Sequence, residues 1–226
     1  MDFVVRDFNG ADQLFQGSAA GEWSDLERLL SDLTLHLQPS GQAGIAGRPI
    51  FDPKGTNAAL TQAARALGWV GVPVPSELTM FGVDWDAGKG TTLAEWQFSN
   101  YPFLWNNVIR SQAVVSGRVV LAGVGTTEGL VVVTKSGVIP ASNSTLYYEQ
   151  AEAQLDSVMT KGAFSLPIRL VGLTLPDAEE LDAVWSIYPS RYARAHTTRR
   201  TVRIAISRSR RPSRYGYRAA RFTVAD

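Results

Sequence analysis

The residues with the clearest chemical potential lie in DWDAGKGTTLAEWQF, residues 84–98, which holds Asp86, Glu95 and Gln97 in a D-x8-E-x-Q spacing. Period-two geometry puts Leu93, Glu95 and Gln97 on one face of the strand TLAEWQF, with Ala94, Trp96 and Phe98 on the other. The run TMFGVDWD at 79–86 alternates as well, Phe81, Val83 and Trp85 on one face and Gly82, Asp84 and Asp86 on the other. With AGKG as the turn, antiparallel pairing brings Asp86 near Glu95. Two carboxylates suit a hard divalent cation such as Mg²⁺, which takes one or two carboxylates and keeps several waters. The main-chain carbonyl of Trp96, between two residues of that face, could add a ligand. A cation held there would lower the pKa of a bound water and neutralise charge developing on a phosphoryl oxygen. Gln97 cannot act as a base, but its amide could orient the attacking water. Paired acids also occur on solvated hairpin faces, so the spacing alone leaves a metal site and a plain polar surface open.

Several elements must position this hairpin. Residues 22–35 place Trp23, Leu26, Leu29, Leu30 and Leu33 at helical spacing. Residues 56–68 read as a second helix, with Thr56 or Asn57 as cap and Gly68 as stop, followed by a Pro/Gly loop, VGVPVPSE. A helix is expected over 103–116, with Leu104, Val108 and Val115 on one stripe. Residues 118–124 and 129–134 are β-branched strand candidates, and PIRLVGLTL is another buried strand. SNSTLYYEQAEAQLDSVMTKG starts with capping residues and stops at Gly162, so it reads as a helix of about four turns. After Pro176 the pattern changes to short β-like pieces, VWSIY, TVRIAIS and YRAARFTV, separated by Arg-rich loops.

The 226 residues are 45% hydrophobic and 19% charged, an ordinary globular composition with enough chain for a sizeable core. The absence of Cys excludes disulfides, thiolate zinc and a Cys nucleophile, and two His, His36 and His196, leave no His-rich metal site. Both are read as ordinary core or surface residues. No apolar run is long enough for a membrane span, and MDFVVRDFNG lacks a secretory pattern, so a soluble, cytoplasmic protein is expected. The net charge of +1 hides a segregation: residues 185–226 hold eleven Arg and one acid, a net of +10, whereas residues 1–184 hold eleven bases and twenty acids, a net of −9. Such asymmetry points to a polyanionic partner, and exclusive use of Arg favours phosphate or base recognition; a solvated basic tail is the plainer alternative.

Four segments carry a resemblance. EWQFSNYPFLWNNVIRS at 95–111, IFDPKGTN at 50–57, PASNSTLYYEQAEAQL at 140–155 and PIRLVGL at 167–173 resemble, in order, the corresponding segments of BglII-like type II restriction endonucleases, members of the PD-(D/E)xK nuclease superfamily. The resemblance begins near residue 1, at RDFNGADQLF, and runs to about residue 200. It implies an α/β fold, a restriction-endonuclease-like mixed sheet flanked by helices with a small β-rich C-terminal extension. The change of pattern after Pro176 divides the chain into an endonuclease core, 1–176, and a basic, mostly β subdomain, 177–226, expected to contact DNA. The resemblance implies a bacterial restriction–modification enzyme that uses Mg²⁺, acts as a homodimer on double-stranded DNA, and cleaves a palindromic hexanucleotide, AGATCT, after the first A to leave a 5′ GATC overhang. Asp86 and Glu95 match the metal ligands, and Gln97 stands where most of the superfamily has Lys but its BglII-like members have Gln. One departure is Val70–Gly71, where BglII-like sequences carry an Asn-Asn pair.

The residues matched to DNA reading are Ser99, Asn100, Arg110, Asn143, Ser144, Tyr192 and Arg194. Asn suits adenine, Arg suits guanine, and Ser can donate or accept; Tyr and the remaining Arg can hold phosphates. Each has a plainer reading. Asn143 and Ser144 could cap a helix, Asn100 could stabilise the turn before Pro102, and Arg110 could be merely exposed. Tyr147 and Tyr148 read as packing residues and Lys89 as a solvated turn residue. Two other functions stay open: a catalytically weak, sequence-specific DNA-binding protein on the same fold, and a metal-dependent hydrolase with no DNA role. The +10 segment argues against the second.

Overall fold

The computed structural model describes every residue except Ser144, Arg191, Ala225 and Asp226. In chain order the elements are β1 (Asp2–Phe8), α1 (Ala11–Gln16), α2 (Ala20–Ser31), β2 (Leu35–Pro39), β3 (Pro49–Phe51), α3 (Pro53–Ala66), β4 (Val70–Pro73), a 3₁₀ turn (Ser76–Phe81), β5 (Asp84–Lys89), β6 (Thr92–Trp96), α4 (Pro102–Ser116), the short pair β7 (Val120–Leu121) and β8 (Gly125–Thr126), β9 (Gly129–Lys135), α5 (Tyr148–Met159), β10 (Ile168–Thr174), β11 (Glu180–Ile187), β12 (Thr198–Arg208) and β13 (Ala220–Val224).

A mixed six-stranded sheet, β1-β10-β9-β6-β5-β4, forms the centre. β6, β9 and β10 run parallel, and β9 and β10 are mostly apolar, as expected of strands covered on both faces. Alternation along β9 divides two cores. Leu130 and Val132 pack with Leu104 and Val108 of α4 and Leu155 of α5. Val131 and Val133 pack on the opposite side with Phe15 of α1, Leu30 of α2, Leu60 of α3 and the inner face of a second sheet.

That second sheet has the order β13-β12-β11-β2-β3, with β11 parallel to β2. The basic C-terminal strands therefore extend a sheet begun by β2 and β3, and the chain passes from the central sheet to this one between β10 and β11.

Several sequence expectations are corrected. The helix expected over 22–35 ends at Ser31, because Leu35–Pro39 pairs with β11 and β3. The helix expected from 56 begins at Pro53, with Asp52 as cap accepting from the Lys54 N–H at 3.1 Å and Pro at the first position, where its missing donor costs nothing. The loop expected at VGVPVPSE contains the edge strand β4, and residues 79–81, read as strand, close a 3₁₀ turn. Residues 118–124 give only one arm of a two-residue pair. The helix read from Ser142 starts at Tyr148 and ends at Met159.

Candidate active site and DNA-facing loops

β5 and β6 form the hairpin that carries the candidate carboxylates. Their register pairs Ala87 with Ala94 and Lys89 with Thr92, which sets Asp86 opposite Glu95; the strand continues through most of the expected AGKG turn as far as Lys89, and the chain turns at Gly90, whose φ of 55° suits glycine. A bulge prepares the site. β4 pairs Val70 with Gly88 but Val72 with Trp85, so three steps along β5 match two along β4. The extra residue breaks the alternation that would separate Trp85 from Asp86, and both serve the face covered by α4. Val70 and Gly71, the departure from the BglII-like pattern, lie on this same edge strand, both exposed.

Glu95 is buried, and its carboxylate takes an ion pair and hydrogen bond from the Arg110 guanidinium of α4. Asp86 accepts the Trp96 N–H at 2.7 Å and lies close enough to Glu95 for each carboxylate to act on the other. Burial pushes Glu95 well above the usual carboxylate range, against the pull of Arg110, and burial likewise raises Asp86 against the Trp96 N–H. The Trp96 carbonyl accepts from the Phe98 N–H at 3.1 Å and retains a second lone pair.

Gln97 is buried and its amide is already engaged. Its Nε2 donates to Ser99 Oγ (2.9 Å) and the Asn100 carbonyl (3.4 Å), and its Oε1 accepts from Asn107 Nδ2 (2.9 Å). In this arrangement it fastens the 97–100 loop to α4.

Arg110 corrects the expectation most. It was grouped with the DNA readers, with an exposed helix face as the alternative, yet it is only 3% exposed. Its guanidinium lies 5.0 Å from the Trp85 ring centroid and against Gly82, where a Cβ would collide with Nη1. Enclosed this way and paired with Glu95, the guanidinium does not lie on an exposed helix face. The α4 periodicity carried no sign of this, because the partner came from another element.

The other matched residues lie at the surface. Ser99 and Asn100 are exposed just beyond β6, and the Ser99 carbonyl accepts from the Leu146 N–H at 2.9 Å, tying this loop to the one that carries Asn143. Asn143 is exposed and lies ahead of the α5 cap at Tyr147, so it does not cap that helix; Ser144 lies outside the described residues. Tyr192 and Arg194 are exposed in the loop after β11. Ser99 and Tyr192 line one cleft of about 880 Å³, with Ser142, Lys54 and Tyr188. Lys89 is not a solvated turn residue: it bonds Asp25 at 2.6 Å and the Leu67 carbonyl at 2.8 Å. Of the histidines, His36 is buried and His196 exposed, and Tyr148 packs in the core beneath α5.

A family model described as restriction endonuclease BglII/BglIII matches residues 3–173. The chain belongs to this family. It is 38% identical to the type II restriction enzyme BglII of Bacillus subtilis over 205 residues, 90% of each chain. It resembles the crystal structure of BglII complexed with a DNA 16-mer at a TM-score of 0.91 and 36% identity, covering all of both chains. Its likeness to free BglII is lower, with a TM-score of 0.73 and 31% identity over 100% of this chain and 99% of that one. The BglII/BglIII-family fold thus includes the mixed sheet and flanking helices expected from the sequence. Among the described residues no helix is long and apolar enough to cross a membrane, and no group of three or more His, Cys, Asp or Glu could hold a metal.

Proposed function

We propose that this chain is a Mg²⁺-dependent type II restriction endonuclease that binds double-stranded DNA as a homodimer in the bacterial cytoplasm. Its site is AGATCT, cut after the first A to leave a 5′ GATC overhang. The observation that carries the reading is the pairing of half-buried Asp86 with buried Glu95 across the β5–β6 hairpin of a BglII/BglIII-family chain.

The donor set fits Mg²⁺, which takes few carboxylates and completes its shell with water and substrate phosphate. Asp86, Glu95 and the Trp96 carbonyl would hold it. Bound there, it supplies a water of lowered pKa and a positive charge beside the scissile phosphate. The chain's own part is to bring the two carboxylates together on one face of the hairpin and to hold them in place. The Trp96 N–H fixes the Asp86 carboxylate and Arg110 fixes that of Glu95. Attack in line on phosphorus gives a 5′-phosphate and a 3′-hydroxyl. Gln97 contributes through the loop it fastens, which carries Ser99 and Asn100.

Ser99, Asn100, Asn143 and Ser144 are the proposed base readers, and Tyr192 and Arg194 the phosphate contacts, with the 177–226 subdomain supplying basic charge along the duplex. Arg110 is reassigned from base reading to the charge partner of Glu95. The test is incubation with DNA of known sequence, with and without Mg²⁺, followed by mapping of the ends. Ends at A/GATCT only with Mg²⁺ support the reading. Binding without cleavage in any divalent cation would favour a catalytically weak DNA-binding protein.

A further inference from the structure

IFDPKGTN, one of the segments that resembles the BglII-like enzymes, holds none of the residues assigned above. It spans the end of β3 and the start of α3. Asp52, fully buried, caps α3 and also accepts from the Tyr188 hydroxyl at 2.8 Å. Lys54, in the first turn of the helix, reaches out of it. Its ammonium lies 3.6 Å from the Tyr188 ring centroid and donates to the Ala193 carbonyl at 2.8 Å. Gly55 makes the close packing possible, since a Cβ there would stand 2.5 Å from Asp52 Oδ2 and 2.8 Å from His36 Nδ1.

The loop that Lys54 holds is an excursion between β11 and β12. Its base is closed by the Thr197 N–H donating to the Ile187 carbonyl at 2.7 Å. Its far side carries Tyr192, 85% exposed, and Arg194, and Ala193 stands between them. The Lys54 ammonium therefore bonds the main chain midway between the two proposed phosphate contacts, inside the cleft that Ser99 and Ser142 also line. A loop joined only at its base would spend part of the interaction energy with DNA on being ordered.

We propose that Lys54 is a positioning residue for DNA recognition: through the Ala193 carbonyl, with Tyr188 and Asp52 behind it, it fixes the 188–197 loop so that Tyr192 and Arg194 meet the duplex together. This rests on the reading of Tyr192 and Arg194 as DNA contacts. Two rival roles are open to test. Lys54 could itself hold a phosphate, or it could only stabilise the fold.

The experiment measures dissociation constants for an AGATCT duplex in Ca²⁺, with melting temperatures, for the full-length protein and the variants Lys54→Met, Lys54→Gln, Arg194→Ala, Tyr192→Phe and the double variant Lys54→Met/Arg194→Ala. Positioning predicts that Lys54→Met weakens binding about tenfold, the scale of one charge-assisted hydrogen bond. Arg194→Ala should then cost little more in the double variant, since the contact it removes is already misplaced. Lys54→Gln, which keeps an N–H donor without the charge, should retain more binding than Lys54→Met. Additive losses, with Gln no better than Met, would mean a direct phosphate contact and overturn the proposal. A fall in melting temperature with unchanged binding overturns it in favour of a purely structural role. Should Lys54→Met fail to fold, the same cycle with Lys54→Gln decides. If Arg194→Ala and Tyr192→Phe leave binding untouched, the reading of the loop itself falls, a result separable from the others.

Discussion

Asp86, half-buried, and Glu95, buried, face each other across a hairpin, and two like charges set so close are costly unless a positive charge or a proton offsets them. Replacing either acid by its amide keeps the shape and removes the ligand charge. Asp86→Asn and Glu95→Gln should each lower cleavage by at least about a hundredfold, the lower end for losing one group that stabilises charge in a transition state. Duplex affinity in Ca²⁺ should stay near that of the parent; cleavage at the parent rate in either variant contradicts the assignment. His36 gives a second residue-scale prediction. Burial, helped by the nearby Arg199, lowers its pKa from 6.5 to about 4. The folded chain keeps the imidazole neutral while the unfolded chain takes up a proton, so this contribution to stability is complete above pH 6.5 and is lost as pH falls from 6.5 towards about 4. His36→Asn should flatten that part of the stability–pH curve, as denaturant titrations across the window would show; identical slopes would contradict it. The acids were legible because strand alternation and spacing both mark them. The burial of Arg110 was not, since no local pattern reports a partner on another strand.

Among the elements, the hairpin could be read because each strand alternates apolar and polar side chains. Its turn was misplaced because AGKG has turn composition, yet Ala87 and Gly88 keep their ladder partners and only Gly90 takes the left-handed φ. The bulge that brings Asp86 onto the α4 face left no mark in the sequence, because it arises from pairing with β4. The polar start read for α5 was likewise ambiguous: Ser and Asn suit a cap or a loop, and the structure makes this stretch a loop that ends at Tyr147. A prediction follows from that outcome. Asn143→Ala should change stability by less than about 0.5 kcal/mol, as for a surface site outside any cap. It should reduce discrimination between AGATCT and one singly changed site by about 1–3 kcal/mol. Thermal melts and competition binding measure the two separately. A lower melting temperature with all sites weakened in proportion would contradict base reading.

Across the whole molecule, the sequence separates a basic segment, 185–226, from an acidic remainder, and Arg199, Arg200, Arg203 and Arg208 of that segment lie on β12 and Arg221 on β13, in the sheet shared with β2 and β3. Sequence composition showed this separation but not how the arginines are used: Arg203 pairs with Glu180 and Asp182, and Arg208 with Asp177. Arg210 and Arg211 are exposed on the turn between β12 and β13. If both meet phosphates, replacing both with Ala should reduce the log–log salt slope of DNA binding by about 1.8, from roughly 0.9 per phosphate; an unchanged slope marks a solvated stretch. Two copies, each with one carboxylate pair, should cut one strand apiece. The most direct measurement therefore uses a supercoiled plasmid with a single AGATCT and a mixed dimer, purified through two different tags, of the parent chain and Glu95→Gln. The parent dimer should give linear DNA, the mixed dimer nicked circles, and the Glu95→Gln dimer no cleavage. Linear product at the parent rate from the mixed dimer, or any comparable cleavage by the Glu95→Gln dimer, would contradict the assignment of Asp86 and Glu95 as the catalytic centre.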